Sequence, residues 1–387
     1  MTYTPKLEDY MKALGENRVF ACEDEHYIGF KYNAPTVIFH YWDDVTLNAR
    51  GIVFDKATGE IVARPFYKFF NYEELINGAG ARTDILDKME ACGFKFDRTE
   101  SFRVMDKLDG SLGIMFYDKY AGSWRVKTGG AFGSDQAVWA NEWAKKNITS
   151  GLDTSLTYCY EIIYDADVHP ISYDFEGMVL LGAIDTATGE EVSLEQLRQI
   201  AVEQKVRLAD IIEFKSFDEA ISYAKNLSKT KEGVVVTFKN GFKVKIKGHE
   251  FLALQKQFHA ITKEMIWENY DCENWLHPYT AEFLASIPEE MKEMHDYAEE
   301  LDKKISEATY VARSTAYRVY KMIKDANLQR RDAFTLITSC FEKYNPRLVG
   351  PAMKVYSLLE QGKTDRYISS PECVSSIVKL VHRLFKP

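Results

Sequence analysis

Lys107-Leu108-Asp109-Gly110 stands where the run Phe102-Arg103-Val104-Met105-Asp106 meets a turn and a second apolar run begins. A lysine there ends a strand with its amine free, and such an amine is either a nucleophile or a surface charge beside a tight hairpin. Its company bears on the choice. Asn240-Gly241, between two β-type runs, predicts a two-residue hairpin turn. With that turn Val236 faces Lys245 and Val234 faces Lys247, because the numbers of paired residues sum to a constant. Lys243, Lys245 and Lys247 then share one face by the period of two, and Phe242, Val244 and Ile246 take the other. Glu232 has the parity of Val234 and Val236 and is expected on the lysine face. Three lysines and a carboxylate on one face suit a site for a phosphate and a divalent cation; the alternative is a solvent-facing charged strand. Glu161 adds a carboxylate inside the apolar run Leu156 to Tyr164, where a charge requires a partner. Upstream, Lys56-Ala57-Thr58-Gly59-Glu60 reads as the turn of a hairpin presenting Arg50 and Lys68, although Arg64 and Lys68 are equally readable as surface charges.

To bring these residues together the chain needs a sheet-rich body. Strands are expected at Leu47 to Phe54, Glu60 to Tyr67, Phe102 to Lys107, Leu112 to Tyr117, Trp124 to Thr128, Leu156 to Tyr164, Met178 to Asp185, Gly233 to Lys239 and Phe242 to Lys247. Helical periods interrupt them at Ser134 to Asn147, Ser193 to Lys205 and Ser216 to Asn226, the last two opened by Ser-x-x-Gln and Ser-x-x-Glu capping patterns. Beyond His249 strand signals cease, and amphipathic stretches run at Phe251 to Ala260, Ala281 to Leu284, Glu289 to Met322, Arg331 to Lys343, Pro351 to Gln361 and Pro371 to Phe385. The reading is α+β with mixed connections, then an all-helical part.

At 387 residues, 46% hydrophobic and 28% charged, the chain is long enough for two or three folded domains and is not of low complexity. No window approaches the roughly 18 apolar residues of a membrane span, and the start has no signal-peptide pattern. Six dispersed cysteines without a C-x-x-C pair read as reduced thiols, which favours the cytoplasm. The net charge of −9 hides an asymmetry: residues 301–387 carry sixteen Lys and Arg against eight Asp and Glu, leaving −17 for residues 1–300. A basic end on an acidic body is compatible with a polyanion partner or with a solvated helical surface.

The ordered set Arg50-Gly51, Lys68-Phe69-Phe70-Asn71, Lys107-x-Asp109-Gly110-Ser111-Leu112, Glu161, Glu232-Gly233 and Lys245-Ile246-Lys247 resembles the covalent nucleotidyltransferases. More narrowly, it is similar to the phage RNA ligase 1 family, to which the upstream Arg-Gly and Lys-Phe-Phe-Asn elements point. The resemblance implies an α+β fold. A nucleotidyltransferase (ATP-grasp-like ligase) domain of antiparallel sheets with helices, including an N-terminal triphosphate-binding element, would occupy residues 1–250. An all-α C-terminal domain, residues 251–387, would serve as an RNA-specificity module. The implied activity is that of an ATP-dependent RNA ligase joining 5'-phosphate and 3'-hydroxyl ends through lysyl-AMP and RNA-adenylate, in RNA or tRNA repair. The implied setting is a bacteriophage protein acting as a monomer in the host cytoplasm, away from membranes, on RNA that includes nicked tRNA. Cofactors would be ATP and Mg2+, with Mn2+ as the alternative metal. By matching position Lys107 is the nucleophile and Asp109 orients the site. Arg50 and Lys68 hold the triphosphate, Lys245 and Lys247 contact the α-phosphate, and Leu108, Gly110 and Phe70 complete the ATP site. Glu161 would meet the ribose or a metal-bound water, and Glu232 the metal. A lysine nucleophile must be neutral, and Lys245, Lys247 and bound Mg2+ are expected to lower its pKa by repulsion.

Three positions depart from the family pattern. Lys127-Thr128-Gly129-Gly130-Ala131 has glycine where the pattern has a second lysine, and alanine where it has serine; Ala166-Asp167-Val168 replaces Thr-Asn-Arg; Phe251 replaces a tyrosine. Other readings are a DNA-end or 5'-phosphate adenylyltransferase and a catalytically inactive nucleotide- or RNA-binding module. In the helical part, Arg313, Arg318, Lys321 and Lys324 alternate with Tyr317 and Tyr320. Such a strip either grips RNA phosphates and stacks on bases or lines a bundle core with a cationic rim.

Overall fold

Alternating β-branched and aromatic residues broken by Gly, Asn and Asp turns build the first part of the chain. The computed structural model describes residues 3–76, 83–280, 283–284, 287, 292–342, 345–363 and 369–387. It divides into two compact units, Met1–Leu254 and Gln255–Pro387. In chain order the strands are β1 (Val19–Glu23), β2 (Tyr27–Tyr32), β3 (Arg50–Asp55), β4 (Ile61–Ala63), β5 (Phe70–Asn71), β6 (Phe102–Lys107), β7 (Ser111–Asp118), β8 (Ser123–Thr128), β9 (Leu156–Ile163), β10 (Gly177–Asp185), β11 (Ile211–Ile212), β12 (Gly233–Phe238) and β13 (Lys243–Lys247). They form three sheets, ordered β1-β2-β3-β4, β10-β9-β7-β8 and β11-β6-β12-β13-β5. Every pairing is antiparallel except that of β13 with β5.

The β12–β13 register differs from the expected one by one residue. Gly233 lies opposite Lys247, Val235 opposite Lys245 and Thr237 opposite Lys243. Phe238 N–H donates to the Phe242 carbonyl at 2.8 Å, so the loop is the three residues Lys239-Asn240-Gly241. Gly241, at φ +86°, takes the extra position that a two-residue turn lacks. One added residue moves every side chain to the other face. Val234 and Val236 therefore join Val244 and Ile246 in the core, all wholly buried. At about 1.5–3 kcal/mol per buried aliphatic side chain, the alternative that puts Lys245 and Lys247 beside them is excluded. Strict alternation would now send Glu232 into that core as well. It escapes because the strand starts only at Gly233, where φ is +157° and a Cβ would lie 2.1 Å from the Ile246 carbonyl oxygen.

Other elements shift for local reasons. Leu47 and Asn48 end a short helix, Asp44–Asn48, whose N-terminus is held by a capping box between Asp43 and Thr46. The strand expected from Glu60 to Tyr67 pairs only over Ile61–Ala63, and Pro65, which has no N–H to donate, follows. β1, β2, β5 and β11 lie where no strand is expected from sequence. The capping box at Ser193 and Gln196 forms as expected. At Ser216 the hydroxyl accepts from Glu219 N–H, but the Glu219 carboxylate accepts from Lys215 N–H instead.

In the second unit the 34-residue helix Lys292–Asp325 carries Ala298, Leu301, Ile305, Ala308, Ala312, Ala316, Val319 and Ile323 into one core. These three- and four-residue steps make a continuous apolar stripe, and its alanines permit close helix approach. Helices Arg330–Phe341, Val349–Glu360 and Pro371–His382 pack on it. Residues 281–282, 289–291 and 343, part of the expected helical stretches, lie outside the described residues. Among the described residues no helix is long and apolar enough to cross a membrane.

Candidate active site

Lys107 is the last residue of β6 and pairs with Gly233 of β12. The next three residues cross to another sheet, where Ser111 opens β7 opposite Ile162 of β9. That crossing explains Gly110: a Cβ there would lie 2.5 Å from the Ile162 carbonyl oxygen and 3.0 Å from Glu161 Cγ. Gly110→Ala is expected to push this loop off β9, at a cost of about 1–3 kcal/mol in stability measured by denaturant unfolding. Asp109 is buried; its Oδ2 accepts from Ile171 N–H at 3.3 Å, and its own N–H donates to the Tyr173 hydroxyl at 2.8 Å. It ties the lysine loop to the segment after β9. His169 sits between Asp109, 3.7 Å away, and Asp167, 3.1 Å away.

The amine of Lys107 donates to Glu232 Oε2 at 2.6 Å, and Lys247 holds the other oxygen at 2.9 Å. Burial disfavours the Lys107 ammonium, but Glu232, Glu161 and Asp109 outweigh it and hold its pKa above the ordinary lysine value. This corrects the expectation that neighbouring lysines lower it. The depressed amines are others: burial with Lys68, Lys107, Arg50 and Lys247 brings Lys245 down to about 7, and burial with Arg50 brings Lys68 to about 8. Carboxylates dominate around one lysine and cations around the next. Burial also pushes Glu161 up to about 7, against the pull of Lys107.

Lys68 lies in the segment between β4 and β5, its ammonium 4.8 Å from the Phe70 ring centroid, 5.4 Å from Tyr32 and 5.9 Å from Trp42. Phe70 thus forms part of an aromatic box for that charge. Arg50, at the start of β3, stacks over Phe69 at 4.6 Å. A cavity of about 200 Å³ opens beside Lys107, walled by Phe66, Phe69, Leu108, Leu181 and Val235, with Arg50, Gly110 and Glu161 also lining it. A β-bulge between Leu180 and Gly182 is what frees Leu181 from strict alternation. A larger cavity, about 580 Å³, lies beside Arg64, Arg103 and Glu191 and is lined by none of the predicted site residues.

Most predicted residues of the first unit thus converge: Arg50, Lys68, Phe70, Lys107, Leu108, Gly110, Glu161, Glu232, Lys245 and Lys247, with Asp109 behind them. His169, Tyr173 and the aromatic box were not anticipated, and only His169, following the departure at 166–168, carried a local signal. Arg313, Arg318, Lys321 and Lys324 belong to the second unit. There Tyr317 and Tyr320 pack against the bundle core, with the Lys321 ammonium 4.7 Å from the Tyr317 ring and that of Lys324 6.0 Å from Tyr320, which is the cationic-rim arrangement.

Among the described residues no group of three or more His, Cys, Asp or Glu could hold a metal ion. Among the described residues the Glu161 carboxylate accepts no hydrogen bond and forms no ion pair, and Glu232 is bridged by two lysines. Such a donor set fits a cation that arrives with most of its ligands, as Mg2+ does on a polyphosphate.

Residues 48–251, a little over half of the chain, match the profile of a family described as RNA ligase. The chain belongs to this RNA ligase family. Among curated proteins, this RNA ligase family member is 27% identical over 229 residues to a protein described as a bifunctional polynucleotide kinase/RNA ligase of Autographa californica nuclear polyhedrosis virus, covering 55% of this chain and 31% of that one. It is 26% identical over 192 residues to a protein described as an RNA ligase of Thermovibrio ammonificans, covering 47% of this chain and 46% of the other. The chain therefore spans about a third to a half of the length of these relatives. Solved structures similar to it include an archaeal ATP-dependent RNA ligase (TM-score 0.45, 13% identity, 98% of this chain and 88% of that chain). Another is a Naegleria gruberi RNA ligase variant with ATP and Mn (TM-score 0.32, 14% identity, 45% of this chain and 55% of that one).

Proposed function

We propose that the chain is an ATP-dependent RNA ligase that joins 5'-phosphate to 3'-hydroxyl ends, with Lys107 as the residue that carries AMP. The observation that carries this reading is the Lys107 amine beside an apolar cavity of about 200 Å³, near Arg50, Lys68 and Lys245, whose charges form no ion pair with any described carboxylate. The cavity walls suit a nucleobase, and the cations suit the phosphates that follow it.

Lys107 Nζ forms a bond to the α-phosphorus as the bond to the bridging oxygen breaks and pyrophosphate leaves. The amine must first lose a proton, and its nearest acceptor is Glu232 Oε2 at 2.6 Å. Lys245 stabilises the charge that grows on the phosphoryl oxygens, because its charge is not already neutralised by a carboxylate. An oxygen of the RNA 5'-phosphate then displaces Lys107 from phosphorus, and the 3'-hydroxyl in turn displaces AMP. A divalent cation, Mg2+ in this reading, would be held by Glu161 and Glu232 and would supply further neutralisation. RNA repair, with nicked tRNA among the substrates, fits this chemistry, and the unit 255–387 serves as the RNA-specificity module, in which the exposed rim of Arg318, Lys321 and Lys324 meets RNA phosphates while Tyr317 and Tyr320 stay packed on the bundle core.

Incubation with labelled ATP is expected to leave AMP covalently on the chain. Adding a 5'-phosphorylated single-stranded RNA should give circles, and a DNA of the same sequence should give few. Absence of both adduct and joined RNA would remove this reading.

A further inference from the structure

We propose that Lys31 of β2 is a phosphate-binding residue that holds the outer phosphates of the nucleotide as they become the leaving group. This rests on the adenylylation reading and adds a residue to it. An open groove of about 470 Å³, lined by Lys31, Tyr32, Thr128, Gly129 and Gln136 among others, runs on from the base cavity, and Arg50, Gly110 and Leu112 line both. A triphosphate whose α-phosphate meets Lys107 extends its β- and γ-phosphates along that path.

Two observations mark the groove as built for an anion. Arg50 Nη1 is buried without a hydrogen-bond partner. Lys31 is half-buried and its ammonium makes no ion pair or hydrogen bond with any described residue. The other lysine of the neighbourhood is not available: Lys127 is wholly buried, donating to the Thr128 carbonyl at 2.6 Å and lying 5.2 Å from the Phe132 ring centroid.

The stem of Lys31 also lies over the glycine that departs from the family pattern. A Cβ on Gly129 would meet Lys31 Cδ at 3.8 Å and Cε at 4.0 Å, with the Arg50 carbonyl oxygen at 3.7 Å. These are ordinary contacts, so position 129 can accept a side chain. A lysine there would share the space Lys31 now crosses. The charge absent from the β8 loop is thus present in the same groove, delivered from a strand of another sheet.

The test is tripolyphosphate binding by calorimetry, alongside the rate of adduct formation against ATP concentration. Lys31→Ala is expected to weaken tripolyphosphate binding and raise the ATP concentration for half-maximal rate by about tenfold each, the loss of one charge-assisted contact. Sealing of pre-adenylylated RNA, which uses no ATP, should not change. Adding Gly129→Lys to Lys31→Ala should recover most of the loss, which a merely structural lesion would not allow. Unchanged tripolyphosphate binding in Lys31→Ala, or no binding by the wild type, overturns the assignment. Unaltered adduct formation with slower AMP transfer to a 5'-phosphate also overturns it, by moving Lys31 to the RNA phosphate. Wild type that binds tripolyphosphate in a Lys31-dependent way yet forms no adduct would instead overturn the adenylylation reading and leave Lys31 as a polyphosphate ligand.

Discussion

Lys107→Ala is expected to lower adduct formation by at least about 10⁴-fold, because alanine brings no nucleophile to the adenylyl group. The fold should survive. Glu232 keeps Lys247 at 2.9 Å when Lys107 is gone, so the lost pair costs about 1–2 kcal/mol rather than stranding a buried carboxylate. Its pH dependence has a definite sign: a lysine with a raised folded-state pKa stabilises fully below its unfolded value of 10.5, and loses that contribution as pH rises through the folded one. Lys107→Arg separates charge from chemistry. A guanidinium preserves the pairing with Glu232 but is never neutral near physiological pH, so the variant should be nearly as stable as wild type and equally unable to take AMP. Mass spectrometry of the ATP-treated proteins and thermal unfolding check both halves. A wild-type level of adduct on Lys107→Ala would end the role given to this residue.

Lys245→Met carries the second large effect and couples activity to stability in opposite directions. Burial and four neighbouring cations bring the Lys245 amine down to about 7, so at neutral pH and below the folded chain pays for a charge it holds unfavourably. Here the linkage runs opposite to that of Lys107. From about pH 10.5 down to about 7 the unfolded chain takes up this proton first, so Lys245 subtracts stability as the pH falls through that window and subtracts the full amount below it. Methionine keeps the stem and removes the charge. The variant should melt about 2–4 °C higher at pH 6, with the difference shrinking towards pH 10. Adduct formation should fall about 10²–10³-fold, the usual cost of removing one preorganised charge from a developing oxyanion. A variant that is both less stable and fully active would contradict both arguments.

How far the site is readable from sequence depends on the kind of information each residue carries. Lys107, Glu161, Lys245 and Lys247 stand out because charges inside apolar β runs are costly and therefore conspicuous in a linear pattern. Their strands were legible for the same reason, since alternation is a local property. The register of β12 against β13 was not, because Asn240-Gly241 is compatible with both a two-residue and a three-residue loop, and only burial of Val234 and Val236 against the rest of the core chooses. Parity with Val234 and Val236 does not bring Glu232 to the site; it arrives there through the backbone at Gly233.

Chemical identity, then, was the part determined by sequence: which amine, which carboxylates and which cations exist, and which local elements hold most of them. The direction of each proton equilibrium was decided by the tertiary structure. Lys107 ends β6 and Lys245 stands mid-way along β13, with β12 between them, yet one is held charged by Glu232 while the other is pressed towards neutrality by burial and by Lys68, Lys107 and Arg50. Electrostatic energy depends on distances and burial between residues far apart in the chain. The same holds for Lys31, whose place beside Gly129 follows from two sheets meeting across about a hundred residues of sequence.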